Sequence, residues 1–531
     1  MASSADPPAS RVPVAIALGL LTLVCAVSIW KVQVVIDGAR YFYLDDDQMI
    51  SMRYARNLAE GLGPVWNAGE HVEGYTNFGW VVVMAAVHAV GTPDRLASLA
   101  VKVVNWALAC LVVIFTDRLF LRLVPHPSRL LRTSLLVSLA LSADLLFWAV
   151  NGFETTLLTA LFVWALVRTV DDADRGMFAA GTCLLAGLLP VVRSDSPDLT
   201  LIVLLVGLGL GLRRRWWLLA LAAAPLAAHL AFRVAYYGDW LPNTYYLKVA
   251  GRSGLAWLGL GSGKAFLAAY PTVIVLAAAA LVASPDRRVR VLLLPLGLVG
   301  VRLVLVGADM FDHFRFIAPI LPVLLVGAAV GIAVLTTPGT SGARALAILL
   351  LVSTLMVSGV NGSKSLVDLE SVNGRPRLNA ITGYMINRYT RPEAHIAVFA
   401  AGTVGYFSHR YAIDMLGKTN REIAHLPARP GAPIGHNHFD FDRSLASRPD
   451  LVVSFSPAVL AERASDIYRY IFSYNLLDYR VALLTNDAFV THYLPHMVPV
   501  PYLRANNAIY VCDSSPELAG MSAWRLPEVT E

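Results

Sequence analysis

The sequence predicts a polytopic α-helical membrane protein with a C-terminal α/β domain outside the bilayer, and three observations support that fold class. Of 531 residues, 56 % are apolar and 15 % charged, and long apolar segments recur between residues 12 and 361. After Ser363 the apolar runs shorten to strand length. The arginines collect in short connections between apolar segments, so the net charge of +6 reports membrane topology and argues against a nucleic-acid partner.

About eleven spans are expected, at roughly 12–31, 97–116, 133–150, 154–170, 177–192, 199–212, 216–236, 270–283, 291–307, 315–335 and 343–361. The first follows a lone Arg11 and lacks a small-residue cleavage site, so it is expected to be retained with its N-terminal side cytoplasmic. Phe78 to Val90 is apolar but falls short of the roughly 20 residues a crossing needs, and is expected as a juxtamembrane helix on the outer surface. With that choice Arg118, Arg122, Arg129, Arg132, Arg168, Arg175, Arg213 to Arg215, Arg287, Arg288, Arg290 and Arg344 all fall inside; a crossing at 78–90 would turn them outward. The polar loops 37–95, 151–154, 193–198, 236–252 and 307–316 then lie outside. The expected division is residues 1–361 in the membrane, with outer loop 37–95, and residues 362–531 as the outer domain. Cys25, Cys110 and Cys183 lie in apolar segments and Cys512 stands alone, which suggests neither a disulfide framework nor a metal motif.

The outer loop from Tyr41 to Asn77 carries three consecutive aspartates, Asp45 to Asp47, costly neighbours for lipid. Asp46 or Asp47 suits an N-cap for a helix from Gln48 to Glu60, which Gly61 stops. On it Asp46, Ile50, Arg53 and Asn57 share a face. Asp46 and Asp47 are the catalytic candidates, with Arg53 as a substrate contact. Glu73 suits acid/base work or a divalent cation, and Tyr75 beside it a substrate. Asn243, Tyr245 and Tyr246 suit a sugar, and Lys248 offers a point charge for phosphate. Arg193 and Arg315, with His313, have the fork and permanent charge that a phosphodiester requires. Each has an ordinary alternative: a surface helix, a loop glutamate, interfacial anchoring by Tyr and Lys, and snorkelling arginines. A divalent cation is an open cofactor with no ligand set.

Several strings carry less. GLGSGK, residues 259–264, lacks the glycine and the Ser or Thr of a P-loop, with Leu258 and Ala265 in their places, and AGTVGY has two glycines of a three-glycine fingerprint. His436, His438 and Asp440 read as a solvated loop. Strands are expected at 396–400, 411–416, 450–455, 479–484 and 507–512.

DDQMISMRYARNLAEGLG, VEGYTNFGW, NGFETTL, YGDWLPNTYYLKV, GADMFDHFRFIAPILP and IDMLGKTNREIAH, spread in order over nearly the whole chain, resemble the GT-C class of lipid-phosphate-sugar-dependent glycosyltransferases, and within it the actinobacterial terminal arabinofuranosyltransferases of the AftB type. The resemblance implies a polyprenyl-phosphate sugar donor, typically decaprenyl-phosphoryl arabinofuranose, and a cell-envelope glycan acceptor at the outer face of the inner (plasma) membrane. It maps the family's acidic pair onto Asp46 and Asp47, with Asp45 extra. The demands of the reaction then assign Asp46 as the base, supported by Asp47, and Arg193, Lys248, Arg315 and His313, or a divalent ion, to stabilise the leaving phosphate; the outer domain is expected from its placement alone to hold the acceptor. The chain departs from the family pattern at Arg193 to Ser196 and Gly307 to Asp312, which leaves the sugar open. A transporter or flippase of lipid-linked sugars is the alternative; it calls for mid-span ionisable groups or repeated broken helices, and neither is found.

Overall fold

The computed structural model describes residues 10–212, 216–250, 252–309, 311, 313–337, 339–362, 369–429, 434–457, 479–500, 505–524 and 529–530. Arg213 to Arg215, Met310 and Asp312 lie outside the described residues. Among the described residues, seventeen α-helices precede residue 363: α1 (Val12–Lys31), α2 (Asp46–Ala59), α3 (Phe78–Ala89), α4 (Asp94–Leu123), α5 (Arg129–Ala140), α6 (Ala143–Val150), α7 (Thr155–Ala173), α8 (Ala180–Val192), α9 (Pro197–Gly209), α10 (Trp216–Tyr237), α11 (Asn243–Lys248), α12 (Leu255–Ala269), α13 (Pro271–Ala283), α14 (Arg287–Leu293), α15 (Leu298–Val306), α16 (Leu321–Leu335) and α17 (Ser341–Gly362).

The chain is a multi-pass membrane protein by the length and composition of these helices. Among the described residues, six stretches can cross a bilayer: Val12–Lys31, Asp94–Leu123, Trp217–Tyr237, Arg287–Val306, Ala318–Leu335 and Ser341–Gly359. Two bent pairs, α5 with α6 at 45° and α12 with α13 at 89°, raise the number to eight. The other three expected spans fall on α7, α8 and α9. Helices α8 and α9 have 13 residues each, roughly 20 Å at 1.5 Å per residue against a hydrocarbon core of about 30 Å. Helix α7 brings Arg168, Asp171 and Asp172 into its last turns.

Helix α12 lies outside the expected spans, because Gly259, Gly261, Gly263 and Lys264 dilute its apolar pattern. The glycines allow close packing: a Cβ on Gly259 would lie 1.8 Å from the carbonyl oxygen of Leu303 in α15. Within the GLGSGK string, Gly259 is therefore a helix-packing position.

The chain folds as two compact units. The first comprises Met1–Ile29, Val103–Ala227 and Gly254–Val367. Its core holds side chains such as Phe120, Leu135, Phe162, Val203, Val326 and Leu350, all buried. Three of the basic connections meet there: Arg122 reaches Asp171 at 2.7 Å and Asp174 at 3.9 Å, and Arg288 reaches Asp174 at 3.3 Å. Arg132 is held by both oxygens of Asp117, at 2.6 and 2.7 Å.

The second unit comprises Trp30–Lys102, Ala228–Ser253 and Asp368–Glu531. A small antiparallel sheet joins β1 (Gln33–Ile36) to β2 (Ala39–Phe42) and to β8 (Val529–Thr530). The hairpin turns at Asp37 and Gly38, with φ of 48° and 75°, the Asp-Gly pairing such a tight turn favours. A five-stranded sheet has the order β4 (Tyr411–Asp414), β3 (His395–Val398), β5 (Leu451–Pro457), β7 (Ala505–Cys512), β6 (Tyr493–Val500), with β3 parallel to β4 and β5 and the rest antiparallel. Helices α18 (Leu369–Tyr389) and α19 (Thr403–Ser408) pack together beside it. The expected strand at 479–484 is instead a helix, and strand β6 takes its place. Its Pro495 and Pro499 disguise it in sequence and are tolerated because β6 lies at a sheet edge.

Replacing Gly259 by alanine should force α12 off α15 and cost about 1–3 kcal/mol, read as a lower thermal midpoint in detergent; an unchanged midpoint would contradict the close approach.

Candidate active site

The acidic end of α2 is built by its neighbours within the second unit. Asp45, extended at φ −57° and ψ 149°, caps the helix by accepting the N–H of Asp47 at 3.1 Å. This corrects the expectation that Asp46 or Asp47 is the cap; both belong to the first turn, where the helix dipole favours carboxylates. Asp46 accepts the N–H of Thr403 on Oδ1 at 2.8 Å and that of Gly402 on Oδ2 at 3.2 Å. Residue 402 must be glycine, since a Cβ there would lie 1.8 Å from the Asp46 carbonyl oxygen. Asp47 Oδ1 is 3.0 Å from Nζ of Lys418.

Gly402 and Thr403 follow β3, and Lys418 follows β4. The carboxyl ends of two parallel strands thus meet the acidic helix end, beside the point where the chain order reverses between β3 and β5; in open sheets, functional groups gather at such a place. Asp414 shapes the second turn, accepting the N–H groups of Leu416 at 3.0 Å and Thr419 at 2.7 Å. Burial opposes the charge of Lys418, but Asp47, Asp46 and Asp414 outweigh it and hold its pKa above the ordinary lysine value. His436 is pulled down to about 4 by burial and by the Lys418 charge, with Lys248 adding to the effect and Asp47 opposing it. A neutral imidazole and two ammonium groups therefore accompany the acidic pair. Residues 434–440 form a loop in which His438 is buried, and Asp440 caps the helix Phe441–Leu445 by accepting the N–H of Arg443 at 3.0 Å. Among the described residues no three His, Cys, Asp or Glu side chains are grouped to hold a metal, and no ligand set is assigned.

Other expected substrate contacts have protein partners in this fold. Arg53 is buried and donates to the carbonyls of Trp66, Gly405 and Arg410 and to Asn67 Oδ1, at 2.7–2.8 Å, while lying 4.4 Å over the Trp66 ring. Burial, reinforced by Arg56, pulls its pKa down to about 9. These bonds clamp α2 to the segment at Trp66 and Asn67, to α19 at Gly405 and to Arg410 beyond it. Glu73, also buried, makes a two-pronged ion pair with Arg233 at 2.5 and 3.0 Å. The Tyr75 hydroxyl is 2.8 Å from that of Tyr237, which donates to the Pro64 carbonyl at 2.7 Å. Asn243 donates through Nδ2 to the carbonyls of Gly417, Lys418 and Asn420 at 2.7–3.2 Å, and so seats α11 on the Lys418 turn. Tyr246 donates to Asp239 at 2.5 Å and stacks on His425 at 4.0 Å, with Tyr245 edge-on to it at 5.6 Å. Lys248 ends α11, half-buried.

The first unit contains a separate network. Glu154 Oε1 accepts from Arg193 at 2.5 Å and Arg315 at 2.7 Å; Asp195 accepts from Arg193 at 2.6 and 2.8 Å; Asp309 lies 3.8 Å from Arg193 and 3.3 Å from Arg315. Glu154 is fully buried, and the two guanidinium groups are what make a carboxylate tolerable there. Arg193 and Arg302 lie over the Phe316 ring at 5.1 and 5.4 Å. His313 Nδ1 is 2.9 Å from Asp144, which also accepts from Tyr270. Residues Glu154, Arg193, Asp195, Asp309 and Arg315 thus come together, and both arginines have carboxylate partners. Sequence reasoning missed Glu154, Asp195 and Lys418; the signal was the opposite charge on those loops and, for Lys418, its place just after a strand.

These features define a class: a polytopic, GT-C-like membrane fold with a sheet-containing C-terminal part and an acidic site beside the sheet. Solved structures share the fold. The chain aligns over 96 % of its length with 99 % of ArnT from Cupriavidus metallidurans bound to undecaprenyl phosphate, at TM-score 0.58 and 12 % identity. It aligns over 95 % of its length with 42 % of the mycobacterial arabinofuranosyltransferase AftD, at TM-score 0.51 and 15 % identity. At such identities the likeness is one of fold. In sequence, 222 residues are 32 % identical to the terminal β-(1→2)-arabinofuranosyltransferase of Mycobacterium tuberculosis, covering 39 % of this chain and 35 % of that protein. The Corynebacterium glutamicum protein of that name is 29 % identical over 249 residues, 40 % of this chain and 34 % of that protein. The match thus spans about a third of each relative's length. Residues 372–495 match a domain of unknown function (DUF8728).

Two outcomes follow from this geometry. Arg53→Met leaves four buried acceptors without their donor and should cost about 3–5 kcal/mol, seen as a large fall in thermal midpoint. Burial, with the Asp47 and Asp46 carboxylates beside it, pushes the Asp45 carboxyl up to about 7. The folded state therefore binds an extra proton between about pH 4 and 7, and stability falls as pH rises through that window. Asp45→Asn keeps a capping oxygen and should flatten the midpoint between pH 5 and 8; a slope equal to the wild type's would refute the assignment.

Proposed function

We propose that the protein is a membrane glycosyltransferase that moves a sugar from a polyprenyl-phosphate donor to a cell-envelope glycan at the outer membrane face. The observation that carries this reading is the acidic pair Asp46 and Asp47, half-buried at a helix end and held by main-chain N–H groups and Lys418. The acceptor hydroxyl must lose its proton as it attacks the anomeric carbon, and a carboxylate is the group for that task. A lipid phosphate leaves without needing a proton; it needs its charge stabilised. Lys248 is our candidate for that role. Arg193, Arg315 and His313, paired with Glu154, Asp195 and Asp144, we reassign to holding the outer loops of the first unit.

The likeness to two terminal arabinofuranosyltransferases favours decaprenyl-phosphoryl arabinofuranose as donor and an arabinan-type acceptor. Tyr245 and Tyr246 are our candidates for contact with the sugar. We further propose eleven spans, with α7, α8 and α9 completing the count, a cytoplasmic N-terminus, residues 1–361 in the inner (plasma) membrane and residues 362–531 outside it.

The test is transfer by purified protein from decaprenyl-phosphoryl arabinofuranose to an arabinan oligosaccharide. We expect transfer by the wild type and a loss of at least about 100-fold in the Asp46→Asn/Asp47→Asn double variant, with donor binding retained. Transfer from a polyprenyl-phosphate hexose alone would reassign the sugar. Movement of lipid-linked sugar across vesicles without transfer from any donor would favour the transporter reading.

A further inference from the structure

Asp46 and Asp47 are adjacent in sequence, yet their surroundings give them different work. Both carboxylate oxygens of Asp46 are committed to main-chain N–H groups, those of Thr403 and Gly402, and the turn carrying them is so close that residue 402 can carry no Cβ. That carboxylate is part of the joint between α2 and the sheet. Asp47 is different: its side chain is 28 % exposed, and the tip of Lys418 reaches it at 3.0 Å. Lys418 is itself only 7 % exposed, and the turn that carries it is pinned twice. Asp414 accepts two of its main-chain N–H groups, and Asn243 binds the carbonyls of Gly417, Lys418 and Asn420. A long flexible side chain is thereby given a fixed base and a carboxylate to hold.

We infer that Asp47 is the carboxylate that takes the acceptor's proton, that Lys418 is the residue that positions it, and that Asp46 anchors the helix to the sheet. This rests on the glycosyltransferase reading above. In the step, the acceptor O–H proton passes to Asp47, the acceptor oxygen forms the bond to the anomeric carbon, and the bond from that carbon to the phosphate oxygen breaks. Its electron pair leaves with the polyprenyl phosphate, and the proton on Asp47 is later released to water. No oxidant or further reactant is needed.

Among the described residues, charged and titratable groups near this pair include Asp45 at the N-cap, Asp46 from α2, Asp414 from the end of β4 and His436 from its loop, with Lys248 of α11 acting on His436. Asp414 is occupied by main-chain N–H groups and His436 is neutral, whereas Lys418 is a cation in direct contact with Asp47. Removing its charge leaves Asp47 beside two other carboxylates, which favours the protonated form and takes the base out of action at higher pH. An ammonium anchored in a buried turn also sets where the carboxylate points, and misplacement by an ångström slows transfer without weakening binding.

The experiment compares Asp47→Asn, Asp46→Asn, Lys418→Met and Lys418→Arg with the wild type, measuring kcat and acceptor KM across pH together with the thermal midpoint. Asp47→Asn should lose about 100-fold or more in kcat at a midpoint near the wild type's. Asp46→Asn should lower the midpoint, because an amide cannot accept both N–H groups on two oxygens. Lys418→Met should lose about tenfold or more in kcat with acceptor KM little changed, and its acidic limb should move to higher pH. Lys418→Arg, which restores a cation, should recover most of the rate. A wild-type rate in Asp47→Asn, or a Lys418→Met enzyme with unaltered kcat and pH profile, would overturn the inference and leave the glycosyltransferase reading standing. Absence of transfer by the wild type from every polyprenyl-phosphate sugar would overturn both.

Discussion

The second unit depends on one contact: the carboxylate of Asp46 seated on the main-chain N–H groups of Gly402 and Thr403. A helix end beside the carboxyl ends of parallel strands places negative charge where the strands' following turns present donors, and a glycine lets the two backbones approach. The Arg53 clamp works at the same joint. By donating to Trp66, Gly405, Asn67 and Arg410 it ties the body of α2 to the loop that follows it, to α19 and to the residues after α19. Neither group can be exchanged for an apolar one without leaving buried acceptors or donors unmet, and each such loss is expensive. The site is thus a consequence of how the helix is fastened.

The first unit meets a different constraint. It buries Arg193, Arg302 of α15 and Arg315, where isolated charges are costly. The cost is met internally: Glu154 serves two guanidinium groups, Asp195 chelates one, Asp198 pairs with Arg302 at 3.2 Å, and aromatic faces cover the cations. With Asp309, four carboxylates face three guanidinium groups among the described residues, and these ion pairs tie Glu154, Arg193, Asp195, Asp309 and Arg315 together.

Much of the fold was legible. Lipid solubility demands long apolar segments, and these fall on helices where hydropathy places them; the acidic turn stood out because carboxylates beside apolar segments need a reason. What was illegible has identifiable causes. Helix α12 is masked by glycines, of which Gly259 serves packing against α15. Strand β6 carries two prolines that an edge tolerates. Tyr479 to Leu484 alternates like a strand yet forms a helix, since six residues carry too little periodicity to decide. The Asp37-Gly38 turn has a signal of its own, hidden by the short strands on either side of it.

The sequence by itself determined that this chain crosses membranes, that its charge is segregated into short loops, and that an acidic helix end stands apart from them. These are local properties, set by hydropathy, periodicity and capping, and they need no partner to be true. Only the tertiary structure decided which oxygen each cation meets. Arg53, Glu73 and Asn243 look like ligand contacts in one dimension because their chemistry suits a ligand; folded, their partners are protein groups, many of them from hundreds of residues away. Lys418 looked ordinary for the converse reason, since its meaning lies in a carboxylate at position 47 that only strand pairing brings within 3.0 Å. Residue type sets what a side chain can bind, and the long-range arrangement of backbone sets what it does bind.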